Sequence, residues 1–595
     1  MKTLLTIFLT LGLLAAAGFA QPKVTQVSNA ASSALPPLQN SSIAQGSFFA
    51  IYGTGLGPAT AAYWNPYPLP ISLQGTSVSV TVGGTTVAAY PEFVVSTQIN
   101  AVLPSNTPTG TGTLTVTYNQ QTSANFNITV AANSFGTFAF NAAGTGPGII
   151  TDAKYSLLTP FHTAKPDDYV ILWGTGLGSA PDISTEKTAP PSKTNLCPPA
   201  ANCPVTVWVG GQKASVPYAG RSGYTAEDQI VFIVPHVLPG CYVEVAVQTG
   251  SVISNFTTMP VDPAGATCSD APGIGIDYND IASVVASKGS AKVLAVSMLS
   301  NYLNLSNIPL IGSLQWDNDT ITGQIGTFSS GVLDAFQGFA LAPSVGNCSV
   351  TPFLQYPPPV DPAAAAATFL NAGDALSIHG PNGTLSVGQD LNQAGKPVGY
   401  GGTSGGDPVG GLTIQELISM CPKSNGCPPY FLSPTFGILS GTYTVAGPGG
   451  SDVGLFSGSL DVSSEASAFK WTNQSSVTSG PITRNSALTI TWTGGDPSGF
   501  VDITAISSTL QSGLPLSTTP GILVECIAAV SEGKFMIPTY VLQSLPSTAS
   551  SQAIVPPGEL LVGPASGATK IAAPTGLDAA YIFYHFIAGQ NVSWQ

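Results

Sequence analysis

Charged residues are scarce in this 595-residue chain, at 8% of positions against roughly 25% in ordinary globular domains. The chain has 16 Lys and Arg and 30 Asp and Glu, which gives a formal net charge of −14. A phosphate-binding surface needs clustered Lys and Arg, so nucleic acid is excluded as a partner. Because 43% of the residues are apolar, the composition is also opposite to that of a disordered protein. Several packed domains are expected.

Long apolar runs are missing beyond the N-terminus. No later stretch reaches the roughly 18 residues of a membrane helix, so no membrane span is predicted. The N-terminus combines Lys2, an apolar run over Leu4–Ala17, and the small residues Gly18 and Ala20 before Gln21. This pattern predicts a signal peptide at 1–20 and a mature chain that is secreted or held at the cell surface. A buried N-terminal helix is the alternative, and the lack of a cysteine at the cleavage point argues against a lipid anchor.

The eight cysteines contain no Cys-x-x-Cys pair, the spacing typical of zinc sites. Only one of the four histidines, His236, lies close in sequence to a cysteine, Cys241. An even number of cysteines in an exported chain favours disulfides. Spacing predicts two local pairs and one longer loop, and the last pair follows by elimination: Cys197–Cys203, Cys421–Cys427, Cys241–Cys268 and Cys348–Cys526.

An internal duplication organises the first half of the chain. The sequence FAIYGTGLG at 49–57 returns as VILWGTGLG at 170–178. Two further matches keep the same order, 78–84 with 205–211 and 98–104 with 229–235. Two homologous domains are therefore predicted, at 24–130 and 135–261.

Each copy has the pattern of short strands joined by tight turns. Residues 77–82 and 113–117 alternate with a period of two, and Gly83-Gly84 and Gly210-Gly211 are typical of two-residue hairpin turns. About seven strands in some 110 residues suit an immunoglobulin-like sandwich. The motif Gly53-Thr-Gly-Leu-Gly57 lacks the Lys and Ser/Thr of a nucleotide-binding loop, so it indicates a glycine-rich bend.

The first copy resembles the Solibacter-type C-terminal domain, a β-module of exported acidobacterial proteins. The resemblance rests on the segments 30–32, 52–58, 69–75 and 98–104. The Gly-Thr-Gly-Leu-Gly signature is also similar to TIG/IPT immunoglobulin-like domains. The second copy departs from the pattern through an insertion around 197–203 and through Val231-Phe232 in place of Asn100-Ala101. The resemblance implies a fold and an export route, and it transfers no catalytic residue.

The second half of the chain lacks the repeat but stays rich in strand patterns. We expect a β-rich domain of unknown type at 269–465, with its best helix candidate at 412–420, and a C-terminal sandwich at 468–595. The segments 469–473 and 491–496 resemble the region that follows such repeats in other exported acidobacterial proteins. The predicted fold class is all-β, with tandem immunoglobulin-like β-sandwiches followed by further β-rich domains.

One segment matches a hydrolase motif. Gly402-Thr-Ser404-Gly-Gly406 fits the Gly-x-Ser-x-Gly nucleophile elbow, which needs a strand before it and a helix after it. Here the segment lies in glycine-rich sequence between Pro397 and Pro408, which favours a plain loop. The remaining members of a triad would come from two histidines and two aspartates: His379, His585, Asp374 and Asp407. No coherent catalytic set follows from the sequence.

Clustered oxygen ligands occur twice. Asp317-Asn-Asp319 and Asp277-Tyr-Asn-Asp280 offer the carboxylates and amides that Ca²⁺ prefers. Neither continues into a complete calcium loop, and Asn and Asp are equally the ordinary residues of solvent-exposed turns. Calcium at Asp317 and Asp319 is the one cofactor that the sequence leaves open.

The aromatic residues Tyr63, Trp64 and Tyr67 lie in a proline-rich loop, where an aromatic ring is hard to bury. Such rings can stack on sugars, so these three residues are the candidate ligand-binding group. Two other tryptophans, Trp208 and Trp492, alternate within strands and are expected in the core.

These patterns predict a secreted, non-enzymatic protein of recognition, adhesion or structure whose partner is an extracellular glycan or protein. The alternative is a secreted hydrolase or glycan-active protein with its site in 269–465, where Ser404 is the first residue to test. A module that presents another domain is a third reading, and sequence does not separate it from adhesion.

Overall fold

A computed structural model describes residues 21–36, 38–64, 66–179, 186–187, 194–198, 202–270, 273–308, 312–336, 342–353, 367–381, 383–391, 395–404, 440–464, 468–508, 521–548 and 558–595. At 305–308, 312–318 and 402–404 it describes the backbone alone. The predicted signal peptide at 1–20, the helix candidate at 412–420, Asp407 and the pair Cys421–Cys427 lie outside the described residues. Within them, no helix is long and apolar enough to cross a membrane.

The first repeat forms a sheet that folds over on itself. Its strands are β1 (Lys23–Asn29), β2 (Ile43–Ala44), β3 (Phe48–Thr54), β4 (Ala62–Tyr63), β5 (Thr76–Val82), β6 (Thr85–Val95), β7 (Gln98–Val102), β8 (Gly110–Tyr118), β9 (Gln121–Thr122) and β10 (Phe126–Ala131). The order is β1-β3-β7-β6-β5-β8-β10-β2, with β4 paired to β6 and β9 to β8.

Strand β6 carries the chain from one layer of this sandwich to the other. Its first half pairs with β5 through the Gly83-Gly84 turn, and its second half pairs with β7. Both turn glycines have positive φ, 55° and 81°, as a two-residue hairpin of this kind requires. The two layers enclose an apolar core that includes Phe49, Ile51 and Val80.

The second repeat has the same strand order. Its strands are β11 (Gly136–Thr137), β12 (Ile150–Asp152), β13 (Tyr169–Thr175), β14 (Val205–Val209), β15 (Gln212–Arg221), β16 (Asp228–Ile233), β17 (Gly240–Thr249), β18 (Val252–Ile253) and β19 (Thr257–Val261). The order β11-β13-β16-β15-β14-β17 matches β1-β3-β7-β6-β5-β8 of the first repeat. Strand β15 crosses between layers as β6 does, so both copies reach the same topology. The expected all-β class with tandem sandwiches is confirmed.

The remaining strands form one large sheet and one small sheet. The large sheet contains β20 (Ser290–Ile308), β21 (Gly312–Ser329), β22 (Cys348–Phe353), β23 (Thr368–Phe369), β24 (Ala375–Gly380), β25 (Gly383–Leu391), β26 (Pro397–Ser404), β27 (Gly441–Gly447), β28 (Phe456–Val462), β31 (Phe500–Ser508), β32 (Gly521–Ala529), β34 (Gly558–Ala565), β35 (Thr569–Lys570) and β36 (Ala579–Val592). The small sheet contains β29 (Lys470–Trp471), β30 (Leu488–Thr493) and β33 (Lys534–Ile537). The α-helices among the described residues are α1 (Asn279–Lys288), α2 (Ser330–Ala335), α3 (Gln474–Thr478) and α4 (Thr539–Ser544).

The large sheet runs across the boundary expected at 465–468. Its order is β22-β32-β31-β34-β36-β20-β21-β26-β25-β24-β27-β28, which places β36 beside β20. That contact is a parallel pairing from Val293↔Ala579 to Asn304↔Gln590. Strands from 290–462 and from 500–592 therefore share one set of backbone hydrogen bonds. The physical reason is that β36 has apolar residues on both faces and is covered on both, as a central strand is.

Among the residues that the structure describes, three disulfides are present, Cys197–Cys203, Cys241–Cys268 and Cys348–Cys526. These are three of the four pairs predicted from the sequence. The third joins residues that are 178 positions apart and face each other on the paired strands β22 and β32. It ties the two parts of the large sheet together covalently.

A buried polar contact joins the second repeat to the C-terminal half. The carboxylate of Glu244, on β17, accepts hydrogen bonds from the hydroxyl of Tyr540, on α4, and from the backbone N–H of Cys348 (2.9 Å). Tyr540 also stacks on Trp208, with ring centroids 4.3 Å apart. Burial raises the pKa of Glu244 to about 7 although these donors oppose the change. The junction therefore favours the protonated acid.

We predict that deprotonation of Glu244 lowers the free energy of unfolding as the pH rises. Its pKa is about 7 when folded, against an ordinary value of 4.5. The folded state thus binds more protons between these values, and stability falls across pH 4.5 to 7, by up to about 3 kcal/mol for this group. Thermal unfolding of the wild type and Glu244→Gln at pH 5 and pH 8 measures the effect. The wild type should lose more stability than the variant between the two pH values, and parallel changes would contradict the assignment.

Candidate functional site

The proline-rich loop of the first repeat is anchored at both ends. It begins at β4, where Tyr63 lies opposite Phe93 of β6 and the two rings are 5.0 Å apart. The backbone N–H of Trp64 then donates to the carbonyl of Glu92 (2.8 Å). At the far end Leu69 is fully buried against Tyr90 and other residues of both repeats. A loop held in this way presents its side chains in a defined place.

The three aromatic residues that the sequence predicts as a ligand-binding group are exposed. Tyr63 is 74% exposed, Tyr67 40% and Trp64 39%. The indole N–H of Trp64 donates to the carbonyl of Pro68 (3.2 Å), which sets the orientation of the ring. Exposure of three large rings in one short loop is unusual because burial of such side chains normally stabilises a fold.

The second repeat adds a fourth ring that the sequence analysis did not identify. The hydroxyl of Tyr67 is 2.7 Å from the Thr225 hydroxyl, across the boundary between the repeats. The neighbouring Tyr224 is 67% exposed. It lies in the short polar loop Ser222-Gly-Tyr-Thr225 between β15 and β16, which is the signal that could have indicated it. We call Tyr63, Trp64, Tyr67 and Tyr224 the aromatic patch.

A partly buried carboxyl belongs to the residue that pairs with the start of the proline-rich loop across β4 and β6. Glu92 is opposite Trp64 on β6, and burial raises the pKa of its carboxyl to about 7. Near neutral pH this group can therefore either donate or accept a hydrogen bond.

A network of buried polar groups fixes the junction beneath the patch. Arg221 and Asp228 form an ion pair with side chains 3% and 1% exposed. The Arg221 guanidinium also donates to the carbonyl of Gly46 in the first repeat (2.7 Å). Burial raises the pKa of Asp228, and the charge of Arg221 opposes that rise.

Further hydrogen bonds cross the same junction. The side-chain amide of Asn29, on β1, donates to the carbonyls of Ser134 (3.0 Å) and Thr175 (3.1 Å). The N–H of Phe48 donates to the Thr175 hydroxyl (2.9 Å). The two repeats are therefore held in one relative orientation at the patch.

The two tryptophans that the sequence places in the core, Trp208 and Trp492, are not exposed in this way. Trp492 is buried and its indole N–H donates to the carbonyl of Val530 (2.9 Å), as its expected core position requires. Trp594 is fully buried as well. Trp208 is partly buried and packs on Tyr540 between the second repeat and the C-terminal half.

One of the two calcium candidates does not lie in an exposed turn. Asp317 and Asp319 are on β21, inside the large sheet, and Asp319 is buried between Ser300 of β20 and Ser404 of β26. The interpretation of this segment as a turn was wrong, because β21 pairs along its whole length with β20. In the other segment, Asp280 bonds to the amine of Lys570 (2.6 Å) and to the hydroxyl of Tyr581. Calcium at Asp317 and Asp319 stays a prediction.

The residues of the hydrolase alternative are spread over the large sheet. Ser404 ends β26 opposite Asp319, and the same row continues through Ser300 to Phe586 on β36. His585 is next to Phe586 in sequence, so it lies about three strand spacings, or roughly 14 Å, from Ser404. Its ring bonds instead to Asp502 (3.0 Å). His379 is exposed on β24 and bonds to Thr384 (2.7 Å). The described geometry brings no histidine to Ser404.

Comparison with known families supports a TIG-like architecture. Residues 32–130 match the IPT/TIG domain family, which covers about one sixth of the chain. The resemblance to TIG-like domains is thus supported, and the resemblance to the Solibacter-type domain stays an expectation. No curated protein matches the chain in sequence.

Several solved structures show a partial likeness to this chain. They include the plexin A4 extracellular region (13% identity, TM-score 0.16, covering 40% of this chain and 18% of that chain). Domains 5-6 of the S-layer protein SbsC give 14% identity, TM-score 0.14, and coverage of 40% and 98%. The Bacteroides ovatus protein SGBP-B, solved with a mixed-linkage heptasaccharide, gives 10% identity, TM-score 0.12, and coverage of 87% and 98%. The chain spans less than a quarter of the plexin region, and these scores carry no functional argument.

We predict that Asp228→Asn strongly destabilises the junction. The variant leaves the buried Arg221 charge without its counterion, which typically costs about 3–5 kcal/mol. Thermal unfolding followed by circular dichroism measures the loss. The matched control is Asp167→Asn, which removes the partner of His236 in an ion pair whose side chains are both 76% exposed. That control should change stability by less than about 0.5 kcal/mol, and equal effects of the two substitutions would contradict the role of the buried pair.

Proposed function

We propose that this chain is an exported, non-enzymatic recognition protein that binds an extended extracellular glycan through the aromatic patch. The observation that carries the proposal is the exposure of four aromatic rings at a junction that both repeats hold rigid. Aromatic rings of this kind offer large apolar faces together with hydroxyl and indole N–H groups at their edges. Sugar rings have the matching character, with apolar C–H faces and a rim of hydroxyls.

The physical chemistry of the patch favours a neutral, hydroxyl-rich ligand. The chain has few charged residues for an ionic ligand, and the patch contributes three tyrosine hydroxyls. Glu92 can exchange hydrogen bonds with sugar hydroxyls in either protonation state. Because the rings are already positioned, binding loses little conformational entropy.

An oxidising location outside the cytoplasm agrees with this role. The three disulfides are typical of exported proteins, and the IPT/TIG match supports a β-sandwich with a recognition or structural role. The signal peptide expected at 1–20 belongs to the proposal.

We expect Trp64→Ala and Tyr224→Ala each to weaken glycan binding at least tenfold, because truncation of a central aromatic contact usually costs 2 kcal/mol or more. An array of plant and bacterial glycans probed with the mature chain from Gln21 identifies a ligand, and calorimetry gives its affinity for each variant.

The matched control is Tyr169→Ala. Tyr169 is 54% exposed and starts β13, six residues from Thr175 at the junction, a separation of about 20 Å along the strand. This control should bind like the wild type. Unchanged binding in both patch variants would refute the patch, and the lack of any glycan ligand would turn attention to a protein partner.

The hydrolase alternative makes a different prediction. If the chain turned over its glycan or an ester, Ser404→Ala should abolish turnover and leave binding intact. We expect no turnover by the wild type and no effect of this substitution, measured as released reducing sugar and free acid. Turnover that depends on Ser404 would overturn the non-enzymatic assignment.

A further inference from the structure

Three strands of the large sheet bring a histidine and two carboxylates together. Asp502 lies on β31, Glu525 on the adjacent β32, and His585 on β36. One ligand atom from each, a carboxylate oxygen or a ring nitrogen, lies within 4.8 Å of the others. The three residues are separated by up to 83 positions in sequence, so only the strand order creates the cluster.

The surroundings hold two of these side chains firmly. Asp502 is 2% exposed and His585 5%. One oxygen of Asp502 accepts from the Thr504 hydroxyl (3.0 Å), and the other is 3.0 Å from Nδ1 of His585. Thr504 is also the cross-strand partner of Glu525, which places Glu525 on the same face of the sheet.

Protein groups do not fill all the hydrogen-bonding positions of the cluster. Nε2 of His585 is buried without a hydrogen-bond partner among the described residues. Burial and the charge of Asp502 together raise the pKa of Glu525 well above its ordinary value. An unpartnered buried nitrogen and two carboxylates that repel each other are unfavourable, unless a cation or proton is shared between them.

The spacing suits a small divalent ion. Bonds of 2.0–2.2 Å in a tetrahedral zinc site place ligand atoms about 3.4 Å apart, between the 3.0 Å of the His585–Asp502 contact and the 4.8 Å limit of the cluster. An imidazole ligand favours transition metals over Ca²⁺ and Mg²⁺. We propose that Asp502, Glu525 and His585 form a binding site for a divalent first-row transition metal ion, with Zn²⁺ as the reference ion.

Such an ion would join β31, β32 and β36 across the centre of the C-terminal half. Thr504 would orient Asp502 from the outer shell of the site. Glu525 retains some solvent exposure, which gives the ion a way in. The site is separate from the aromatic patch, so it does not depend on the proposed glycan function.

The test uses the whole mature chain, residues 21–595, after removal of metal with a chelator. Zn²⁺ is titrated by calorimetry, and bound metal is counted by mass spectrometry after desalting. We expect one Zn²⁺ per chain, retention in excess Ca²⁺, and an unfolding midpoint several degrees higher with metal, since ligand binding to the folded state stabilises it.

Variants locate the ion. Glu525→Gln and His585→Gln should each weaken Zn²⁺ binding by more than about 100-fold, beyond the 10–100-fold loss typical of outer-shell partners. His236→Gln is the control, because it removes the exposed histidine that bonds to Asp167 (3.1 Å) and should leave binding unchanged. His585 is buried, so its variant can unfold. The Zn²⁺ affinity of a Glu525→Gln variant that keeps a native circular dichroism spectrum is therefore the decisive measurement.

Absence of stoichiometric Zn²⁺ binding would overturn the site, as would wild-type affinity in a folded Glu525→Gln variant. In either case the cluster is a carboxyl pair that shares a proton beside His585. Loss of binding in His236→Gln alone would assign the ion to the surface and equally overturn the proposal.

Discussion

The parallel pairing of β20 with β36 organises the whole C-terminal half. It brings the last strand of the chain into the middle of the large sheet, with β34 on one side and β20 on the other. Side chains alternate to two different cores: Val293 and Ala295 pack with α1, whereas Leu294 and Val296 pack against β24 and β27. The strands further out continue the sheet on both sides of this central pair.

The same pairing decides which polar groups are buried. His585 on β36 meets Asp502 on β31 because β34, which lies between those strands, has the small residue Gly563 opposite Asp502. The small sheet and α4 cover the opposite face of β31 and β32, where Val501, Ile503 and Val524 are fully buried. A polar cluster on one face and a continuous apolar core on the other thus arise from alternation along the same strands.

The proposed recognition function depends on the geometry between the two repeats. The aromatic patch takes rings from both repeats, so its shape exists only while Arg221, Asp228 and Asn29 hold the repeats together. Buried ion pairs contribute little net stability but strongly disfavour arrangements in which they are broken. This explains why a chain with so few charges places some of them at the junction. In the proposed function, the rigid arrangement would limit the entropy lost when an extended ligand binds across both repeats.

Local patterns were enough to predict much of this architecture. The period-two strands and glycine turns of the repeats match β5, β8 and the two hairpins, because a sandwich strand has one buried and one exposed face. The exposed aromatic rings were predicted for a different reason: prolines lack an N–H donor, so most of this segment stays out of the sheet and only Tyr63 pairs, in the two-residue strand β4.

The sequence by itself determined the all-β class, the duplication, two disulfide pairs and three rings of the patch, because each depends on short-range spacing or on composition; the pair Cys348–Cys526 followed by elimination. Only the tertiary structure decided that 290–462 and 500–592 share a sheet, that Asp319 is buried, that Tyr224 joins the patch, and that Asp502, Glu525 and His585 meet. Residues 293–296 of β20 are buried on both faces of the sheet, so this part of the strand has no polar–apolar alternation from which its place in the sheet could be predicted. Pairing between distant strands depends on which faces pack together, and that information is spread over the whole chain.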